Sequence, residues 1–275
     1  MLDFWHYAFM QRALLGGVMV GLLTAIIGVY VVLKGMSFMG AGVAHASFGG
    51  VALGFLLGVD PLWTAVGFCL LVAWGIGMVT RRGGIKEDTA VGIFFASTMA
   101  FGVLLIGLMH GYNVDLFSYL FGSILAITAA DLKMVLGVGV VALLMVALLY
   151  KEFLYITFDP ETARVNGLPE PALYYLLLAL IALTIVVSIK VVGIVLVSAL
   201  LVTPAASAYQ LSRTFGRMMA LSALFGVLSV VVGLVLSYYL NTASGATVVL
   251  TATVIFALSL LGRQWREARG AHEEG

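Results

Sequence analysis

The chain has 275 residues, 63% of them hydrophobic and only 10% charged, with a formal net charge of +1. Soluble domains carry about 25% charged residues, so this chain lacks the polar surface to cover itself in water, and it reads as an all-α polytopic membrane protein. A β-barrel is excluded because its strands alternate in segments of about ten residues, and the small net charge gives no reason to expect a nucleic-acid partner.

The N-terminal stretch MLDFWHYAFMQR carries Asp3 in place of a basic n-region, and the apolar run after Arg12 is long enough to span, so it is not read as a cleavable signal. Spans are predicted at 13–33, 38–58, 61–80, 89–109, 131–150, 171–189, 191–209, 217–240 and 245–262. Between the fourth and fifth lies LFSYLFGSILAIT, 116–128. It is apolar but too short to cross, and it is read as a short re-entrant or interfacial helix. The count is about nine transmembrane helices. The organisation is one transmembrane domain over 1–262, followed by a polar cytoplasmic tail, 263–275, expected to fray. The single cysteine, Cys69, cannot form an internal disulfide, so cysteine usage leaves the redox compartment unread.

Charge sets the orientation. With the C-terminus in the cytoplasm, counting back through nine spans places Lys34, Arg81, Arg82, Lys86, Lys151, Arg164, Arg213 and Arg217 on that side with Arg263, Arg266 and Arg269. Only Arg12, Lys133 and Lys190 fall outside, a strong positive-inside bias. Trp5, Tyr7, Trp63, Tyr238 and Tyr239 then sit at the outer interface, as belt aromatics do.

Five stretches invite a functional reading. In GAGVAHASFGG, 40–50, Ala41, His45, Gly49 and Ala52 share one helix face that is almost bare of side chains. That face permits close helix approach, or it leaves a path beside an imidazole at membrane depth, where ionisable groups are costly and usually face a cavity. Glu87 and Asp88 follow RRGGIK at a cytoplasmic helix start. They complement the helix dipole, or they meet a soluble partner. In TFDPETARVNGLPEP, Asp159 is an N-cap, Pro160 the first helical residue, Glu161 a first-turn acid, Gly167 a C-cap and Pro169 a stop. The result is a helix of about two turns, either a structured loop or a lever for a partner. Pro204, in VGIVLVSALLVTPAASA, interrupts the ladder of a span near its inner end, and such breaks either line cavities or are merely tolerated. NTASGATVVL, 241–250, reads as a tight outer connection.

The remaining histidines, His6, His110 and His272, lie near termini or a span end, and the twelve methionines read as lipid-facing or core filler. There is no GxxxxGK[ST] loop, so the chain is not expected to bind nucleotide itself. No HExxH and no paired aspartates lie within the spans, which argues against an intramembrane protease.

The ordered set RALLGGVMVGLLTAIIGVYVVLKGMSFMGAGVAHASFGGVALGFLLG, KEDTAVGIFF, YLFGSILAIT, TFDPETARVNG, VVGIVLVSALLVTPAASA and SGATVVL resembles the permease subunits of ABC-type zinc, manganese and iron importers, from about residue 12 to 260. The resemblance implies a non-enzymatic subunit of the inner (plasma) membrane that dimerises with a second copy. It would engage two cytoplasmic ATPase subunits and receive metal from an extracytoplasmic binding protein. No cofactor is held permanently; a divalent metal ion is the substrate. The stretch 157–167 then looks like the coupling helix, with Asp159, Glu161 and Gly167 at its matching positions, and Glu87 and Asp88 match a cytoplasmic acidic pair. His45 matches the pathway histidine and would be a metal ligand, and Pro204 would lie at a gate. The chain departs from the family pattern at two places. Ala41 stands where the family has an aspartate four residues before the histidine, and Asn241 stands where an acid is expected before SGAT. A permease for a metal chelate, such as a siderophore or cobalamin, and an ATP-independent secondary transporter are the alternatives. The second would need more ionisable groups in the spans than His45 supplies.

Overall fold

The computed structural model describes residues 8–109 and 127–273. Among them every regular element is a helix: α1 (Ala8–Leu33), α2 (Met39–Leu57), α3 (Pro61–Gly83), α4 (Glu87–Leu108), α5 (Ala129–Leu148), α6 (Tyr150–Phe158), α7 (Pro160–Val165), α8 (Glu170–Val192), α9 (Ile194–Leu211), α10 (Phe215–Leu240) and α11 (Ser244–Glu273). All but α6 and α7 are long and apolar enough to cross a membrane, nine in total among the described residues, at the nine predicted places. Helices are the natural answer to such runs, because every backbone donor must find an acceptor within its own segment when the solvent is lipid. The half-helix expected over 116–128 lies outside the described residues except for its last two positions. Trp5, Tyr7, His6 and His110 also lie outside them.

Helices α1, α2 and α8 are the most enclosed. Helix α2 packs between α3 and α4, while α1 lies against α8, α9 and α10, and α11 covers α9 and α10. Lipid tails are as apolar as leucine, so close packing rather than water exclusion holds such helices together. The closest crossings use glycine. At Gly28 of α1 an added Cβ would sit 1.8 Å from the backbone oxygen of Leu201 on α9.

Two features refine the sequence reading. Helix α9 runs uninterrupted through Pro204, so the proline removes a ladder bond without ending the helix. The break falls instead at Gly193, the single residue joining α8 to α9, with φ 85° and ψ 165°, a backbone region essentially reserved for glycine. The polar tail is helical as far as Glu273, through a stretch rich in the helix formers Arg, Glu and Ala.

This topology gathers charge at the two ends of the bundle. One end collects Lys34 after α1, the last turn of α3, the starts of α4 and α8, and the short helices α6 and α7. The opposite end holds Asp60, Asp131 and Lys190. Trp63 and Tyr239 are exposed at that opposite end, as interfacial aromatics are.

Candidate functional site

His45 lies mid-helix on α2, half-buried, with its ring edge-on to Phe95 of α4 at 4.7 Å between centroids. Its Nδ1 is 2.9 Å from the Ala41 carbonyl oxygen. A carbonyl only accepts, so in this bond Nδ1 carries the hydrogen, and a neutral ring presents the Nε2 lone pair away from its own helix turn. The residue in the aspartate position of the resemblance thus orients the imidazole through its backbone, while its methyl side chain adds no ligand. The bare face of α2 serves packing as well. Gly49 abuts Phe68 and the Thr98 carbonyl, Gly50 abuts Ala65, and Ala52 is buried. Among the described residues no group of three or more His, Cys, Asp or Glu is placed to hold a metal. His45 is thus an imidazole midway along α2 that belongs to no such group.

The short helix α7 is built as its sequence dictates. The Asp159 carboxylate accepts from the Thr162 amide at 2.9 Å and from the Thr162 hydroxyl, and Pro160 occupies the first turn. At the other end Gly167 has φ 80°. The Gly167 amide donates to Arg164 O and the Leu168 amide to Ala163 O, both at 3.0 Å, which is the Schellman closure. The helix spans six residues with Asn166 as its cap, about two turns, and Phe158 just before it ends a separate helix, α6. The Thr162 hydroxyl, then its amide, hold the Asp159 carboxyl below its ordinary pKa. Glu161 is exposed beside it, and Val165 is 87% exposed at the tip.

Behind α7 lies a polar layer. The Glu170 carboxylate, at the first residue of α8, is buried to 3%. It accepts from Arg81 of α3 in a fork, at 3.0 and 2.6 Å, and from the Arg164 Nε of α7 at 2.9 Å. The Arg81 guanidinium stands 5.0 Å from the Tyr174 ring centroid, and the Tyr174 hydroxyl donates to Glu87 at 3.0 Å. The Lys34 ammonium lies over the same ring at 5.5 Å and donates to the Ile156 carbonyl of α6 at 2.9 Å. Burial pulls the Lys34 pKa below its ordinary value, and the nearby Glu87 and Glu170 carboxylates oppose that shift. The predicted acidic pair is thereby split: Glu87 turns into this layer, while Asp88 is exposed.

At the opposite end Lys190 of α8 meets Asp131 of α5 at 2.6 Å, and Asp131 also forms a reciprocal capping box with Thr128. A recess there is lined by Ser47 of α2, Asp60 and Lys190, among others. Asn241 adopts a left-handed conformation, φ 52°, closing α10; asparagine tolerates this region better than most residues.

The sequence reading named His45, Asp159, Glu161, Gly167, Glu87, Asp88 and Pro204. The structure places Asp159, Glu161, Gly167, Glu87 and Asp88 at one end and His45 on α2 within the bundle, and it does not bring Pro204 to the polar layer among the contacts described. It adds Arg81, Arg164, Glu170, Tyr174 and Lys34. Their charges were visible in the sequence, but a pair 89 residues apart such as Arg81 and Glu170 carries no local signal.

Comparison with known proteins gives this arrangement a context. The chain is 41% identical to the manganese transport system membrane protein MntC of Listeria monocytogenes, over 93% of this chain and 91% of that protein. It is 37% identical to the chelated iron transport system membrane protein YfeD of Yersinia pestis, over 93% of this chain and 86% of that one. The solved structure of PsaBC from Streptococcus pneumoniae in complex with Fab contains a chain of the same fold, with a TM-score of 0.83 and 38% identity, covering 94% of this chain and 92% of that one. The model of the ABC 3 transport family matches residues 6–263, nearly the whole length, and the chain belongs to that family.

Proposed function

We propose that this chain is the membrane-spanning permease subunit of an ATP-driven importer that moves a divalent transition metal, manganese first, into the cell by alternating access. The observation that carries the reading is the near-full-length similarity to proteins named for manganese and iron transport. Two structural features support it: an imidazole on an enclosed helix whose Nε2 lies outside the Ala41 hydrogen bond, and a capped short helix projecting from one end of the bundle.

In this reading the end bearing α7 is cytoplasmic, as the positive-inside bias requires, and the C-terminus lies on that side in the inner (plasma) membrane. A separate ATPase hydrolyses ATP and pushes on 157–167, where Asp159 and Gly167 fix the helix and Glu161 faces the partner. Glu87 braces Tyr174 within the polar layer, and Asp88 remains free to meet the ATPase. An extracytoplasmic binding protein delivers the ion at the opposite end. Two copies of the chain pair so that each contributes His45 to a weak station, which releases an ion that a closed four-ligand site would trap. Pro204 lowers the cost of bending α9 during the switch by having no ladder bond there to break. Manganese favours oxygen ligands, whereas imidazole also suits iron and zinc, so Ala41 makes the station less selective than a carboxylate–imidazole pair would be.

Cellular metal content, measured by mass spectrometry in a strain lacking the chain, tests the proposal. Wild type restores manganese under manganese limitation. His45→Ala, and Asp159→Ala combined with Glu161→Ala, fail to restore it while still reaching the membrane. Restoration of no free metal, or of iron only when it is supplied as a chelate, would replace this reading with the chelate permease.

A further inference from the structure

We infer that Glu170 is the positioning residue that locks the short helix α7 to the transmembrane bundle, so that a push on α7 moves α8 and α3 as one body. This rests on the reading of α7 as the contact for a partner ATPase.

A six-residue helix has too few ladder bonds to hold its own direction. Its caps at Asp159 and Gly167 fix the helix itself, but little ties it to the long helices. Ala163 is its buried contact with the bundle, whereas Val165 is 87% exposed and Phe158, just before it, is exposed as well. The Arg164–Glu170 pair supplies the missing constraint. The acceptor side is anchored because Glu170 also holds the Arg81 fork and is itself buried. The two arms are unequal: the Arg81 side chain is 22% exposed and the Arg164 side chain 55%. The inner arm therefore belongs to the bundle, and the outer arm reaches for α7. A planar guanidinium held to one carboxylate oxygen by a hydrogen bond and an ion pair transmits direction as well as attraction; Arg164 donates from Nε at 2.9 Å, and an Nη lies 2.8 Å from the same oxygen.

What Glu170 moves also matters. It begins α8, one of the three most enclosed helices, whose far end is tied by Lys190 to Asp131 just before the Gly193 corner. The same Lys190 lines the recess shared with Ser47 of α2, two residues beyond His45. A rod fixed at both ends thus runs from the short helix to the edge of the histidine-bearing helix.

The test has two arms. In a Cys69→Ala background, spin labels at Val165→Cys and Trp63→Cys report the distance from α7 to the far end of α3, roughly 27 Å of helix apart along α3 alone, by pulsed electron resonance on the full chain. The distribution is narrow with Glu170 and Arg164 in place, and it broadens in Glu170→Gln and in Arg164→Ala. Arg164→Ala leaves the Arg81–Glu170 pair intact, so it keeps the test valid if Glu170→Gln folds poorly. In the second arm, membrane vesicles holding the complex are assayed for manganese taken up per ATP hydrolysed. Arg164→Ala lowers that ratio about tenfold, counted per ATP hydrolysed by the ATPase that remains bound. Unchanged distance distributions, or uptake and hydrolysis falling in proportion, would overturn the inference. A wild-type complex with no ATP-dependent manganese uptake would instead sink the importer reading, leaving the spin-label arm to decide whether Glu170 fixes α7.

Discussion

Adding one methyl group to Gly28 probes the seam that joins the α1 scaffold to the proline-bearing helix α9. An alanine Cβ there would stand 1.8 Å from the Leu201 carbonyl oxygen and 2.9 Å from its carbon. An ordinary C···O contact is about 3.3 Å, so roughly 1.5 Å must be found. The obstructing atoms are backbone, so no rotamer change relieves the clash, and α1 and α9 must part. Overpacking costs about 1–3 kcal/mol, and a backbone clash belongs at the upper end, offset by up to about 1 kcal/mol of helix propensity gained on leaving glycine. The expected net loss is about 2 kcal/mol, roughly thirtyfold in the folded-to-unfolded ratio. Equilibrium unfolding by dodecyl sulfate titration in mixed micelles measures it. Gly67→Ala, inside α3 where an added Cβ meets nothing within 4 Å, is the control and gains up to about 1 kcal/mol of helix propensity with no clash to offset it. If Gly28→Ala is as stable as Gly67→Ala, the backbones of α1 and α9 do not touch and the packing described here is wrong.

Three further outcomes are expected. Gly193→Ala loses roughly 1–3 kcal/mol in the same titration, because alanine is strained at φ 85°, ψ 165°; unchanged stability would show that the one-residue corner does not need glycine. Ala41→Asp places a carboxylate one turn from His45 and raises the manganese-to-zinc ratio in cells supplied with both, since carboxylate oxygen favours manganese; an unchanged or lower ratio would remove His45 from the pathway. The folded pKa of Asp159 lies below its unfolded value, so the stability its cap contributes is fully present above about pH 3.9 and is lost as pH falls through the folded value. At about pH 7 the 160–166 segment of Asp159→Ala therefore exchanges its amide hydrogens faster than wild type, and as pH falls through the folded value the two converge. A gap that persists in acid would refute the carboxylate cap.

Different parts of this molecule were readable to different depths. The nine spans followed from apolar length alone, because lipid leaves the backbone no alternative to the helix. The cap of α7 was legible because Asp159, Pro160 and Gly167 act within a few residues of where they sit. Pro204 stays inside a continuous helix, as a proline tolerated in a span does, and the interruption at Gly193 was not legible, since it comes from the backbone angles of a residue that looks ordinary beside two valines. The Glu170 layer was not legible at all. Its members come from α1, α3, α4, α6, α7 and α8, and only tertiary packing brings Arg81 to a carboxylate 89 residues away. For His45 the sequence posed a choice between packing and passage, and the structure shows Phe95 edge-on to its ring while its Nε2 stays outside the Ala41 hydrogen bond.

The most direct test of the central claim is radiolabelled manganese uptake into vesicles containing this chain together with its partner ATPase, with and without ATP. The account predicts uptake that requires ATP, disappears with Asp159→Ala and Glu161→Ala, and falls with His45→Ala. Uptake that proceeds equally without ATP, or that ignores all three substitutions, would contradict it.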